Sequence, residues 1–347
     1  MIHAWAWTAW AVGALVVLSA TRNPAYLGLS LACIAVVARA VRAMPEAGPA
    51  PLPLWRFALI AVSLSALFNM LSAHAGRHLL LRLPGWLPLV GGPLTLEALV
   101  YGALNGLILA GILAAFVVLF QAVPARALVR LIPRAFYQVA VVVSIALTYV
   151  PTTVRQFHQI REAQAIRGHR MRGLRDWLPL FMPLLVGGLE RALQLAEAMV
   201  ARGFASSPEQ AGDPVGRLVV AQGLLALLIG WLLRLVWGQA MLGLGLMLAG
   251  AGLVLVALWL MGRRVPHTDY RPQAWTGRDW AVLLGAVLAA APFLLGVPCL
   301  DRQSIFYYPY PVLRAPGFNP LVGAAILGLL VPWPILRQAR TAEEVPA

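Results

Sequence analysis

Pro151-Thr-Thr-Val-Arg-Gln-Phe-His-Gln-Ile-Arg-Glu-Ala-Gln-Ala-Ile-Arg167-Gly168 ends in an Arg-Gly pair, and a second pair, Arg202-Gly203, follows 35 residues later. In the first stretch Val154, Phe157, Ile160, Ala163 and Ile166 recur every third position, while Arg155, Gln159, Arg161 and Glu162 lie mostly off that stripe. This predicts an amphipathic helix. In the second, Leu185, Leu189, Ala192, Leu193, Ala196, Met199 and Val200 form one wide apolar face, opposite Glu190, Gln194, Glu197 and Ala201. Pro179 and Pro183 are tolerated near the helix start or as kinks. Gly168 and Gly203 stop the two helices, because glycine takes the left-handed cap conformation at little cost. One reading of the terminal arginines is local: a cation at a helix C-terminus offsets the macrodipole by about 0.3–1 kcal/mol. The other looks outward, since an arginine at a helix tip can reach into a partner groove and form several charge-assisted bonds.

The rest of the chain sets the medium. It has 347 residues, 61% apolar and 12% charged, against about 25% charged in soluble domains. Apolar stretches fall near 3–20, 25–41, 57–73, 94–120, 136–150, 217–237, 240–261, 280–297 and 321–336, several close to the ~20 residues of a membrane span. The net charge of +14 comes from 27 arginines, with no lysine, against 13 acids. Such an excess records the positive-inside bias rather than nucleic-acid binding, and no nucleic-acid partner is expected.

Arginine placement predicts the topology. With a cytoplasmic N-terminus and every stretch except 136–150 crossing, 21 arginines lie inside and six outside (Arg22, Arg77, Arg82, Arg234, Arg302 and Arg314). Letting 136–150 cross would split two basic loops between compartments, so it is read as an apolar helix against the cytoplasmic face, running through a bend near Pro151 into the charged segment. The expectation is an all-α, polytopic membrane helix bundle of about eight spans with two long cytoplasmic amphipathic helices. Its parts are N-terminal transmembrane helices (1–123), a cytoplasmic region (124–216) and C-terminal transmembrane helices (217–347).

The remaining chemistry is sparse. Without lysine a Walker A phosphate loop is impossible. Cys33 and Cys299 read as small buried hydrophobes. His74 and His78 lack a third metal ligand, so no metal site is expected. Residues 3–20 read as a retained helix rather than a signal peptide. Glu97 and Arg234, near span ends, are expected to reach an interface by snorkelling. The Phe306-Tyr307-Tyr308-Pro309-Tyr310-Pro311 loop reads as an aromatic anchor at headgroup depth, with a substrate-gating role as the alternative.

Ser144-Ile-Ala-Leu-Thr-Tyr-Val-Pro151 with Gln159-Ile-Arg-Glu-Ala-Gln-Ala-Ile-Arg167-Gly168 resembles the transmembrane T component of energy-coupling factor (ECF) transporters, the EcfT/CbiQ-like family that includes cobalt-transporter Q subunits. So does Leu178-Pro-Leu-Phe-Met-Pro-Leu-Leu-Val with Leu195-Ala-Glu-Ala-Met-Val-Ala-Arg202-Gly203-Phe204. Asn23-Pro24 and Pro93-Leu-Thr-Leu-Glu-Ala-Leu-Val-Tyr-Gly102 are similar too. The resemblance covers roughly residues 20–205 and implies two coupling helices crossing in an X. Their tips, Ile166-Arg167-Gly168 and Ala201-Arg202-Gly203, would dock on two ABC-type ATPase subunits. Phe157, Ile160, Leu185 and Leu189 would touch a substrate-binding S component. At the first tip Ile166 stands where the family has alanine. The implied function is non-catalytic coupling for uptake of a vitamin or metal ion across a bacterial or archaeal inner membrane, with ATP bound by the partners and no cofactor on this chain. Two alternatives are a polytopic lipid or prenyl transferase and a conventional ABC permease subunit. The first lacks the clustered carboxylates that such chemistry needs. The hydrophobic pair 217–261 exceeds the minimal family core.

Overall fold

The protein is described by a computed structural model covering residues 2–44, 53–73, 76–82, 92–168, 173, 177–204, 214–263, 274–294, 307–310, 313 and 315–343. His74 and Cys299 lie outside the described residues. The helices are α1 (Ala4–Ala20), α2 (Pro24–Arg42), α3 (Leu54–Ser72), α4 (Leu96–Ala122), α5 (Ala125–Val129), α6 (Tyr137–Ile166) and α7 (Leu178–Ala201). They continue with α8 (Pro214–Leu235), α9 (Ala240–Arg263), α10 (Gly277–Leu294), α11 (Pro320–Ile326) and α12 (Pro332–Glu343). A short antiparallel ribbon, β1 (Leu79–Arg82) with β2 (Pro93–Thr95), precedes α4. The molecule is an all-α polytopic bundle, and among the described residues nine helical segments are long and apolar enough to cross a membrane. Packing sorts the chain into two units, Met1–Ala127 with Arg271–Ala347, and Leu128–Tyr270.

The first unit is assembled by close backbone approach and by caps. Side chains as apolar as lipid tails gain little by leaving lipid, so membrane helices associate through small residues that let backbones meet. A Cβ on Gly102 would sit 2.5 Å from the Ser65 carbonyl oxygen of α3, and one on Gly13 2.9 Å from that of Ala286 in α10. The starts of α1 and α10 are tied together. Buried Asp279 accepts the His3 N–H at 2.6 Å and caps its own helix through the Thr276 N–H (2.8 Å) and hydroxyl (2.7 Å). Trp10, fully buried, donates its indole N–H to the Leu329 carbonyl at 2.9 Å. At the start of α2, Asn23 accepts the Ala25 N–H (2.9 Å) and donates to the Gly317 carbonyl (2.6 Å). Pro24 at the first helical position completes this start without a wasted donor.

Glu97 differs from expectation. It does not snorkel. Its side chain is fully buried, accepting the N–H groups of Arg77 (3.2 Å) and His78 (3.1 Å) and meeting His78 Nδ1 at 2.7 Å. The chain brings donors to the carboxylate, which removes the need to reach water. Gly76, at φ +143°, passes so close that a Cβ would fall 2.5 Å from Glu97 Oε2. Arg234, by contrast, is exposed. Beside this lock Tyr101, Tyr308 and Tyr310 cluster with tilted rings at centroid separations of 5.7–6.1 Å, and the Arg22 guanidinium lies 5.1 Å over the Tyr101 ring. Burial, reinforced by Tyr101, Tyr308 and Glu97, pushes the Tyr310 phenol up, so it stays neutral. Tyr308 is exposed, leaving one ring of the cluster outward.

In the second unit α8 and α9 form a hairpin zipped by glycine. Gly223 faces Gly250 and Gly230 faces Gly243, so that a Cβ on either member of the second pair would lie 2.7–2.8 Å from the other's carbonyl oxygen. The turn closes at Gly238, φ +65°. Near the end of α9, Gly262 lies against Arg134, where a Cβ would be 3.2 Å from Arg134 Cβ.

Candidate functional site

The charged segments fold as expected in kind and with a different covered face. α6 is one continuous helix through Pro151, uniting the apolar stretch 136–150 with the charged stretch after it. Pro151 has no N–H to offer the Leu147 carbonyl. The hydroxyls of Thr148 and Thr152 donate back to the carbonyls of Ile145 (2.7 Å) and Tyr149 (2.6 Å) around this point. Both α6 and α7 pass as membrane spans by length and composition, although the sequence reading kept them out of the bilayer. The reason is uneven distribution. Apolar residues crowd residues 137–151 and 178–189, and the charges Arg155, Arg161, Glu162, Glu190, Arg191 and Glu197 come afterwards.

The pair meets at a hydrogen-bonded crossing. Arg191 donates through Nε to the Gly187 carbonyl (3.0 Å) and through Nη2 to the Gln156 side-chain oxygen. The Tyr149 hydroxyl donates to the Arg191 carbonyl at 3.5 Å. A Cβ at Gly187 would lie 2.7 Å from Gln156 Nε2, so glycine there makes room for the amide. Trp177 stacks on Phe157 (6.3 Å, 21°), and beyond the other end of α7 Phe204 lies 6.3 Å from Tyr137. The two helices therefore run in opposite senses. Arg167 lies 11 residues past Gln156 and Arg202 11 past Arg191. At 1.5 Å per residue each tip stands about 16 Å beyond the crossing, on opposite sides of it.

Both tips are built alike. Gly168 (φ +81°) and Gly203 (φ +77°) take the left-handed conformation. Gly168 N–H donates to the Ala165 carbonyl at 3.0 Å. Gly203 donates to Val200 at 2.9 Å and Phe204 to Met199 at 3.0 Å, which is a full Schellman cap. Arg167 and Arg202 are thus cap residues, one position beyond the helix ends Ile166 and Ala201, whereas the sequence reading makes each arginine the last helical residue. Arg167, Gly168, Ala201, Arg202 and Gly203 are all exposed. Ile166 is 88% exposed, so the isoleucine costs nothing within the chain and alters only what a partner would meet.

The apolar faces are likewise open. Leu185 and Leu189 are each 63% exposed, while Phe157 and Ile160 are half-buried. The partly covered stripe of α7 is Leu184, Gly187, Gly188, Arg191, Leu195 and Met199, offset from the most hydrophobic face. Sequence reasoning missed Gln156, Gly187 and Arg191. Two glycines inside a helix, where each costs roughly 0.5–1 kcal/mol against alanine, were the available signal of close approach. Among the described residues no group of three or more His, Cys, Asp or Glu could hold a metal ion.

Fold and site together define a polytopic α-helical membrane protein carrying a crossed pair of helices with glycine-stopped arginine tips. The chain belongs to the cobalt transport protein family CbiQ, whose model matches residues 6–212. It is 37% identical over 73 residues to the energy-coupling factor transporter transmembrane protein EcfT of Leuconostoc gelidum subsp. gasicomitatum, covering 19% of this chain and 27% of that protein. It is 35% identical over 72 residues to EcfT 1 of Listeria monocytogenes (19% and 27%). It is 37% identical over 79 residues to EcfT of Limosilactobacillus fermentum (21% and 29%). The chain thus spans less than a third of the length of these curated relatives. The family match ends just before α8, so the α8–α9 hairpin and α10–α12 lie outside it.

Proposed function

We propose that this chain is the transmembrane coupling subunit of an ECF-type importer in a bacterial or archaeal cell membrane. It passes the motion of two ABC-type ATPases to a separate S component that carries a vitamin or metal ion. The carrying observation is the crossed pair: two exposed arginine caps, each about 16 Å beyond a shared hydrogen-bonded crossing, in a member of a transport family. ATP-driven approach of the ATPases draws the tips at Ile166-Arg167-Gly168 and Ala201-Arg202-Gly203 together. The helices then tilt about the crossing, and the faces at Phe157, Ile160, Leu185 and Leu189 reorient the S component. The chain itself performs no catalysis and binds no ATP.

The topology inferred from arginine placement is supported by spatial pairing within the first unit. Segments assigned to one side meet: His3 with Asp279 inside, Asn23 with Gly317 and Arg22 with Tyr101 outside. That topology places the N-terminus in the cytoplasm and the coupling tips on the ATPase side. The test is co-expression with a pair of ABC-type ATPases and a small membrane S component. The complex is expected to assemble and take up substrate with ATP, while the chain alone binds none. Substrate binding by the isolated chain would instead mark a conventional permease.

The crossing yields a distinct prediction. Gln156→Ala with Arg191→Ala removes an arginine hydrogen bond of the kind worth about 1.5–3 kcal/mol without touching either tip. ATPase capture is expected to persist, whereas uptake per ATP hydrolysed falls several-fold. Unchanged coupling would show that the crossing does not transmit force.

A further inference from the structure

The antiparallel register of α6 and α7 treats the two tips unequally. Pairings run from Tyr137 with Phe204, through Tyr149 and Gln156 with Arg191, to Phe157 with Trp177. Arg167 stands ten residues past the last of these, an overhang of about 15 Å. Ile166 and Arg167 are exposed there, and a Cβ on Gly168 would meet nothing within 4 Å among the described residues. The hydrogen bonds of Arg167 and Gly168 stay within their own helix. The second tip has no such overhang. Phe204, two residues past Arg202, is half-buried, its ring tilted 34° against Tyr137 at the start of α6.

The start of α6 is itself held from behind. Gly262, buried at the end of α9, lies against the 3₁₀ turn Arg134–Phe136, where a Cβ would fall 3.2 Å from Arg134 Cβ and 3.6 Å from the Ala135 nitrogen. The Phe136 N–H closes that turn on the Pro133 carbonyl at 2.8 Å, and the fixed φ of proline stiffens it. Behind Gly262 the hairpin is zipped at Gly223 with Gly250 and at Gly230 with Gly243. A contiguous series of contacts therefore runs from the hairpin through Arg134, Ala135 and Tyr137 to Phe204. A helix end without covering contacts opens and bends at low cost, whereas a packed one resists. We propose that the α8–α9 hairpin, which lies beyond the family match, anchors the second coupling tip, with Tyr137 as its positioning residue. This rests on the coupling reading. The arm carrying Arg202 stays fixed to the hairpin, and the overhanging arm carrying Arg167 makes the larger swing when the ATPases close. The coupling stroke is asymmetric.

The test uses the full chain in nanodiscs, with Cys33 and Cys299 replaced by alanine. One spin label sits at Val256 of α9 and a second at either Glu197 or Glu162, all three exposed positions. Each glutamate stands five residues before its arginine and outside the docking tip. Pulsed electron paramagnetic resonance of the chain alone should give a narrow Glu197–Val256 distance distribution and a Glu162–Val256 distribution at least twice as wide. Tyr137→Ala should widen the first to match the second, while Tyr137→Phe, which keeps the ring, leaves it narrow. Gly262→Leu, which pushes α9 off the turn, should act as Tyr137→Ala does. In the complex with the ATPases, ATP should shift the Glu162–Val256 distance by several ångströms and leave the Glu197–Val256 distance in place. Equal widths in the wild type, an unaltered width in Tyr137→Ala, or equal shifts with ATP would each overturn the anchor. The widths need no partner, so they judge the anchor even if the ATPases fail to bind, a result that would count against the coupling reading instead.

Discussion

Replacing Arg167 and Arg202 together with alanine is expected to abolish capture of the ATPase pair while leaving the membrane bundle folded. Both side chains are exposed at helix caps, so within the chain each contributes little beyond dipole compensation, about 0.3–1 kcal/mol. Against a partner carboxylate or carbonyl, each arginine contributes about 1.5–3 kcal/mol per charge-assisted hydrogen bond. Losing one such bond at each tip weakens assembly by roughly 10²–10⁴-fold. Single replacements should do less than half the damage seen with both. With two tips on one rigid pair, docking the second is intramolecular, and the intact tip keeps the other near its groove. Arg155→Ala with Arg161→Ala removes the same number of positive charges from the chain without touching either tip and serves as control. Co-purified ATPase is the primary readout, ATP-driven uptake the second, and thermal unfolding in detergent confirms the fold. Normal capture and uptake by the double variant would sink the docking model.

The glycine stops explain why arginine at these positions is geometrically fixed. A left-handed residue directly after the cap turns the chain away from the helix axis and leaves the arginine at the corner. The second tip carries a full Schellman cap with Phe204 against Tyr137. The first carries the protruding Ile166. In the proposed docking, that isoleucine sets apart the surface that the first tip offers a partner.

Much of this was legible beforehand. Helical periodicity gave the two charged helices, and glycine gave their ends within one residue. The misses share a cause. Hydrophobic periodicity identifies the most apolar face of a helix, but in a membrane subunit that face need not be the one its own chain covers. Leu185 and Leu189 stay open, while the half-covered stripe of α7 runs through Gly187 and Arg191, chosen for close approach and hydrogen bonding. Glu97 was misread because its donors come from a segment about 20 residues earlier, a pairing no local pattern encodes. The ribbon of β1 and β2 was missed for a similar reason: Leu79-Leu-Leu-Arg82 does not alternate.

Gly328→Val is expected to dismantle the first unit. Gly328 sits in the short 3₁₀ segment Leu327–Leu330, directly against Gly285 of α10. A Cβ at 328 would lie within 2.3 Å of the Gly285 carbonyl oxygen, and one at 285 within 2.6 Å of that of Gly328. Both obstacles are backbone, so no rotamer change relieves the clash, and the segments must separate. Overpacking of this kind costs about 1–3 kcal/mol or more. It also strains the adjacent bond from Trp10 to the Leu329 carbonyl, where losing a buried partner costs about 1–3 kcal/mol further. Gly252→Val is the control, since nothing lies within 4 Å of a Cβ there. The expected result is loss of monodisperse protein and a markedly lower unfolding temperature for Gly328→Val alone. The consequence reaches the family core. Residues 277–343 lie outside the matched region 6–212, yet α10 and the segment around Gly328 supply the surfaces against which α1 and α2 close. If Gly328→Val left the fold intact, α10–α12 would be an accessory. If it fails as expected, the N-terminal helices of this family member depend on C-terminal ones that the family pattern does not contain.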